Sequence, residues 1–180
     1  MKIYTRKGDD GTTGLFYGGR VKKDSLLPTA YGEVDEAQAA IGLARAHISE
    51  NSSLDKLLID ILRDLWVLMA ELATLPENRE NLEPETSLTT QEMVTKLEIA
   101  IDNYSDKFEM PKEFIVPGQN PSASYFDLAR TVVRRAERAV LKIELEDSYV
   151  VPYLNRLSDL MWIIARTQEK ITLTAREKEE

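Results

Sequence analysis

Residues 54–75 read LDKLLIDILRDLWVLMAELATL. Leu54, Leu57, Leu58, Ile61, Leu62, Leu65, Leu68, Met69 and Leu72 recur at steps of three and four, so on a helix they form one continuous stripe. A half-buried strand would instead alternate apolar and polar residues. A stripe this wide must be covered by other elements, so the segment predicts a helical core. Ser52 or Ser53 is placed to cap it, and Pro76 stops it.

Four further helices follow from the same reasoning. The first covers about residues 29–48, with Val34, Ala37, Ile41, Ala44 and Ile48 on one face. Ala39, Gly42 and Ala46 form a second stripe of small residues beside Asp35, which suits a helix packed on both sides and hence an oligomer. The polar stretch ENRENLEPETS is a loop. A third helix spans about residues 89–104, with Met93, Leu97, Ala100, Ile101 and Tyr104 inward. The proline-bearing connection DKFEMPKEFIVPGQNPSAS follows, where Phe108, Phe114, Ile115 and Val116 are expected to be buried. The fourth helix covers about 122–145 and the fifth about 153–172, separated by Pro152. The expected fold is all-α: a five-helix bundle with an irregular N-terminal arm. We read one domain over 1–180, with an arm at 1–27, the bundle at 28–173 and a charged tail at 174–180.

Composition narrows the function. A chain of 180 residues suits one core and can bury about 70% of its unfolded surface. The 23 Lys+Arg against 31 Asp+Glu give a net charge of -8, which argues against nucleic acid or anionic membranes as partners. No apolar run is long enough to cross a bilayer and no leader pattern opens the chain, so a cytoplasmic protein is expected. The absence of cysteine excludes disulfides, thiolate metal sites and cysteine nucleophiles. The single His47 excludes a multi-histidine metal site and argues against histidine acid–base chemistry at the centre of the mechanism.

Against this acidic background, RTVVRRAERAV (130–140) concentrates four arginines. On a helix Arg130, Arg134 and Arg138 share a face, with Glu137 beside them, Asp127 one turn earlier and Arg135 at the edge. Forked guanidinium donors suit phosphate oxygens. The competing reading is a solvated face with Asp127 and Glu137 as salt-bridge partners. The arm, YTRKGDDGTTGLFYGGRVKKDS, adds five glycines, three threonines and five Lys/Arg, among them Lys7, Lys22 and Lys23. Turned backbone N–H groups and hydroxyls of this kind cradle anions. No P-loop is present, because Arg20 and Val21 stand where its Lys and Ser/Thr belong. A flexible tail is the other reading. In the last helix Asn155, Asp159, Trp162 and Arg166 share one face; Asn155 suits either a sugar or base edge or a helix cap.

YTRKGDDGTTGL, YGEVDEAQAAIG, FIVPG, RTVVRRAER and YLNRLSD occur in this order. Together they resemble the ATP:cob(I)alamin adenosyltransferases of the propanediol-utilisation type, over about residues 3–166. The resemblance implies a homotrimer of five-helix bundles with an active site at each subunit interface. It implies transfer of the 5′-deoxyadenosyl group of ATP to reduced cobalamin, releasing triphosphate. ATP and cobalamin would be the substrates, with Mg2+ brought through the ATP phosphates and no metal held by side chains. Thr5, Arg6, Lys7, Gly8, Thr13, Gly14 and Lys23 would hold the phosphates from the arm. Arg134, Arg135, Glu137 and Arg138 would hold ATP from the fourth helix, and Asn155 from the fifth. Glu137 is expected to orient the arginines. Asp35 would pair with Arg130 of a neighbouring subunit, and Phe114 would take the lower face of the corrin cobalt. Gln119 and Asn120 depart from the family pattern after the PG of FIVPG. A corrinoid reductase and an adenosylcobalamin-dependent enzyme are the implied partners. Two other classes stay open: a non-catalytic nucleotide-sensing bundle, which has no need of Phe114, and a purely structural bundle, which would not bind ATP.

Overall fold

The computed structural model describes residues 4–50, 52–169 and 173–176. Five helices carry it: α1 (Leu26–Arg45), α2 (Ser53–Leu72), α3 (Gln91–Ser105), α4 (Pro121–Val140) and α5 (Val150–Thr167). Helix α4 packs against α1 and α5, α2 against α1, and α3 against α5. The stripe of α2 lies in the core as expected, with Leu58, Leu65, Leu68 and Leu72 fully buried. Val34, Ala37, Ile41 and Ala44 face it from α1. The small-residue stripe of α1 points away from the core, with Ala39 and Ala46 exposed.

Side chains close the helix starts. Ser52 Oγ accepts the Asp55 N–H (3.0 Å), Thr90 Oγ1 that of Met93 (3.4 Å) and Asn120 Oδ1 that of Ala123 (2.9 Å). Several boundaries differ from expectation. Helix α1 begins earlier and ends earlier. Helix α4 stops at Val140 and tightens into a 3-10 turn at Leu141–Ile143. Pro152 does not separate two helices but lies in the first turn of α5, where a missing N–H costs nothing. Helix α5 ends at Thr167; the expected end at 172 lies outside the described residues.

The arm is irregular over most of residues 5–25, as expected, but it is not a free tail. It holds an antiparallel hairpin of β1 (Thr12–Gly14) and β2 (Arg20–Lys22), paired Thr12 to Lys22, Thr13 to Val21 and Gly14 to Arg20. Strands of three residues are too short to print an alternating pattern in the sequence. The hairpin tip sits on the end of α2. Phe16 N–H donates to Ala73 O (2.9 Å), and Asn78 Nδ2, from a 3-10 turn at Pro76–Asn81, donates to Tyr17 O (3.3 Å). Gly19 is required there: its φ is +88°, and an added Cβ would lie 2.5 Å from Leu75 Cδ1.

Candidate active site

Helix α4 turns its arginines in different directions. Arg134 and Arg138 are exposed, and neither meets a carboxylate among the described residues. Arg135 points to α1, where its Nε donates to Glu33 Oε2 (2.6 Å) and its Nη2 pairs with Glu36. The hydrogen bonds to Glu33 and Glu36 raise its pKa further. Arg135 therefore ties α4 to α1 in this chain. Arg130 is half-buried, with Nε 3.8 Å from Asp127 Oδ1 and without a hydrogen-bond partner among the described residues.

Glu137 does not orient the arginines. Its Oε1 accepts from Asn155 Nδ2 (3.2 Å), and Asn155 Oδ1 accepts from Arg156 Nη1 (2.8 Å), whose Nε reaches Glu98 Oε1 (2.9 Å). This chain of bonds fastens α4, α5 and α3 together. Asn155 lies inside α5, so the capping reading is excluded. Arg166, read as part of a polar face, is buried with only 3% of its side chain exposed. It donates to Asp127 Oδ2 (2.5 Å) and Glu169 Oε1 (3.1 Å). Burial pushes the Glu169 carboxyl up, opposed by Arg166 and helped by Asp127.

In the arm, Arg20 Nη2 donates to the Lys7 carbonyl (2.7 Å) and to Thr12 Oγ1 (2.5 Å), folding the first turn back on the hairpin. Asp10 Oδ1 accepts from the N–H (2.9 Å) and hydroxyl (2.7 Å) of Thr12, and these bonds hold its carboxyl below the usual range. A Cβ at Gly8 would lie 3.0 Å from Lys23 Nζ and 3.1 Å from the Thr12 carbonyl oxygen, so that ammonium rests against the Gly8 backbone. Lys7, Gly8 and Lys23 are thus gathered at the hairpin base. Thr5 and Arg6 precede them in the chain, Thr13 and Gly14 lie in β1, and all four are exposed or half-buried. Arg20 was not among the expected site residues; its place in a failed P-loop spacing hid its structural use.

Phe114 was expected to be buried and is 88% exposed. Its backbone is held by the C-terminal segment. Ala175 N–H donates to Phe114 O (2.8 Å), Val116 N–H donates to Leu173 O (2.9 Å), and Ile115 pairs antiparallel with Thr174. The expectation of a separate tail at 174–180 hid this pairing. Phe114 borders a cavity of about 710 Å3 shared with Ile115, Leu128, Trp162 and Arg130, within the size range of small-molecule sites. Asn120, besides capping α4, donates from Nδ2 to Gln168 O (2.8 Å), and Gln119 Nε2 donates to Val116 O (3.1 Å). Both departures from the family pattern therefore shape this loop.

Residues 5–23 make no hydrogen bond or ion pair with α4 among the described residues, and Asp35, exposed on α1, is not paired with Arg130. No group of three His, Cys, Asp or Glu side chains among the described residues is arranged to hold a metal ion.

The family model described as cobalamin adenosyltransferase matches residues 3–168. The chain is 41% identical over 172 residues to the corrinoid adenosyltransferase of Bacillus subtilis (strain 168), covering 92% of this chain and 86% of that protein. This chain belongs to the cobalamin adenosyltransferase family. Another member, corrinoid adenosyltransferase PduO of Citrobacter freundii, is 38% identical over 94% of this chain and half of its own length. Among solved structures, a phenylalanine-to-histidine variant of a PduO-type ATP:corrinoid adenosyltransferase from Lactobacillus reuteri, complexed with cobalamin and ATP, superposes with a TM-score of 0.87. It is 31% identical, covering 99% of this chain and 98% of that one. An arginine-to-lysine variant complexed with ATP gives a TM-score of 0.84 at 30% identity, covering 97% of this chain and 100% of its own. Within the cobalamin adenosyltransferase fold, no helix of the described residues is long and apolar enough to cross a membrane.

Proposed function

We propose that this chain transfers the 5′-deoxyadenosyl group of ATP to reduced cobalamin. Cobalt(I) attacks the saturated C5′ carbon, a Co–C bond forms, the C5′–O bond breaks, and its electron pair leaves on triphosphate. No proton moves in that step, so a chain with one histidine and no cysteine is sufficient. The protein's work is alignment and stabilisation of charge growing on triphosphate.

The observation that carries this reading is the pair Arg134 and Arg138, exposed and unpaired among the described residues of an acidic chain. Two unmatched guanidinium groups fit a polyanion that arrives from outside. Thr5, Arg6, Lys7, Gly8, Thr13, Gly14 and Lys23 grip the phosphates from the arm. Glu137 and Asn155 border the nucleotide. Arg135 acts through its hold on α1. A Mg2+ ion would be brought with the nucleotide, through its phosphate oxygens.

Because the arm makes no hydrogen bond or ion pair with α4 among the described residues, we read the site as completed by a neighbouring copy. The outward small-residue stripe of α1 supports such packing, and Asp35 of one subunit pairs with Arg130 of the next in a homotrimer. Phe114 takes the lower corrin face, and the cavity beside it receives the ring. Exposure of a large apolar side chain at a cavity mouth supports that role. The phenylalanine and the arginine altered in the Lactobacillus reuteri variants stand as far apart in their chain as Phe114 and Arg134 do here. The domain runs over 1–180, with the arm at 1–27, the bundle at 28–173 and the tail at 174–180. It works in the cytoplasm beside a corrinoid reductase and an adenosylcobalamin-dependent enzyme. The test is incubation with ATP, Mg2+ and chemically reduced cobalamin: the alkylcobalt spectrum is expected, and its absence refutes the activity.

A further inference from the structure

Glu71 is a carboxylate at the end of α2 with none of its side chain exposed. An unpaired charge there would be severely destabilising, and the surroundings supply three donors. Arg79 Nη2 (2.8 Å) and Ser148 Oγ (2.7 Å) donate to Oε1, and the Thr89 backbone N–H donates to Oε2 (2.8 Å). These donors come from three separate segments: the 3-10 turn after α2, the loop before α3 and the connection before α5. One side chain therefore gathers the three stretches that surround the end of α2.

The hairpin tip of the arm rests on that same assembly. Phe16 N–H bonds Ala73 O at 2.9 Å, two residues beyond Glu71. Asn78, which holds the Tyr17 carbonyl at 3.3 Å, is the neighbour of Arg79. Ser87, whose Oγ lies 3.4 Å from Tyr17 Oη, stands two residues before Thr89 and is buried. Leu75 fills the space that Gly19 leaves open. Each contact that seats the tip thus belongs to a segment tied to Glu71 or follows it directly.

We infer that Glu71 is a positioning residue for ATP binding: it sets the seat of the hairpin, and so the place of Lys7, Gly8 and Lys23 at its base. The inference rests on the reading that the arm holds the phosphates. Glu71 itself touches no substrate.

The test compares Glu71→Gln, Arg79→Lys and Lys23→Ala in the full chain. Glu71→Gln should raise KM for ATP about tenfold, about 1.4 kcal/mol, while KM for cobalamin and kcat stay within about twofold. Amide hydrogen exchange at Phe16 should quicken in the same variant, because its N–H donates to Ala73 O on the seat, outside the hairpin. Arg79→Lys keeps a cation beside the carboxylate and should give a smaller shift of the same kind. It decides the matter if Glu71→Gln does not fold. Lys23→Ala should raise KM for ATP without quickening exchange at Phe16. If Lys23→Ala raises KM and the platform variants leave both KM and exchange unchanged, the role of Glu71 is overturned and the arm's role stands. If no variant moves KM for ATP, the arm does not hold the nucleotide, and both ideas fail.

Discussion

Replacing Arg134 by alanine separates binding of the polyphosphate from maintenance of the fold. The side chain is exposed and makes no hydrogen bond or ion pair among the described residues. Its loss should therefore change folding stability by no more than about 0.5 kcal/mol, the ordinary range for surface positions. On a chain of this size that is a shift of only a degree or two in Tm, roughly. Its effect on the reaction should be much larger. Removing a preorganised donor aimed at charge that grows in the transition state typically costs about 100- to 1000-fold in kcat. The assay follows the alkylcobalt absorbance with chemically reduced cobalamin and saturating ATP, alongside a thermal melt. Arg135→Ala is the contrasting variant. It breaks the ties to Glu33 and Glu36, so its first effect should be on the α1–α4 contact and the melt. A purified Arg134→Ala protein that turns over at the wild-type rate would end the argument for a phosphate-gripping helix.

Phe114→Ala should leave the melt and ATP binding intact, because the ring is 88% exposed. It should abolish the four-coordinate cobalt(II) species seen by EPR; an unchanged spectrum removes the ring from the corrin face. Asp35→Asn should weaken trimer assembly or activity, measured by sedimentation at low protein concentration. A fully active trimer there would dismiss the pairing with Arg130. Asp64 offers a pH test. Burial raises its carboxyl above the ordinary value, opposed by the bond from Tyr153 Oη (2.9 Å). The folded state thus holds this proton more tightly than the unfolded chain. The contribution is present below the unfolded value and is lost as pH climbs through the folded one. Wild-type stability relative to Asp64→Asn should therefore fall in urea titrations as pH rises above the ordinary aspartate range of about 4. A relative stability that grows as pH rises contradicts the assignment.

The helices were legible because their signals are local. The α2 stripe, Ser52 as a cap and the connection after Pro76 need only neighbours in sequence. The hairpin was not, because its strands are three residues long and are seated by Ala73 and Asn78, far along the chain. The arginines show the same division. That Arg130, Arg134 and Arg138 share a helix face follows from spacing. That Arg135 belongs to Glu33 and Glu36, and Glu137 to Asn155, depends on which helices become neighbours. Phe114 misled for a different reason. Hydrophobicity argues for burial in general, whereas the corrin role proposed for this ring requires it to be exposed.

The antiparallel pairing of 114–116 with 173–175 has a practical side. Two backbone hydrogen bonds near the carboxyl end of the chain steady the loop that presents Phe114. Fusing a purification handle there, or trimming the chain back to Glu169, would loosen the one ring on which corrin chemistry is proposed to turn. Such a preparation would melt normally and still bind nucleotide. Its poor turnover would then be blamed on the substrate rather than on a missing ribbon of backbone.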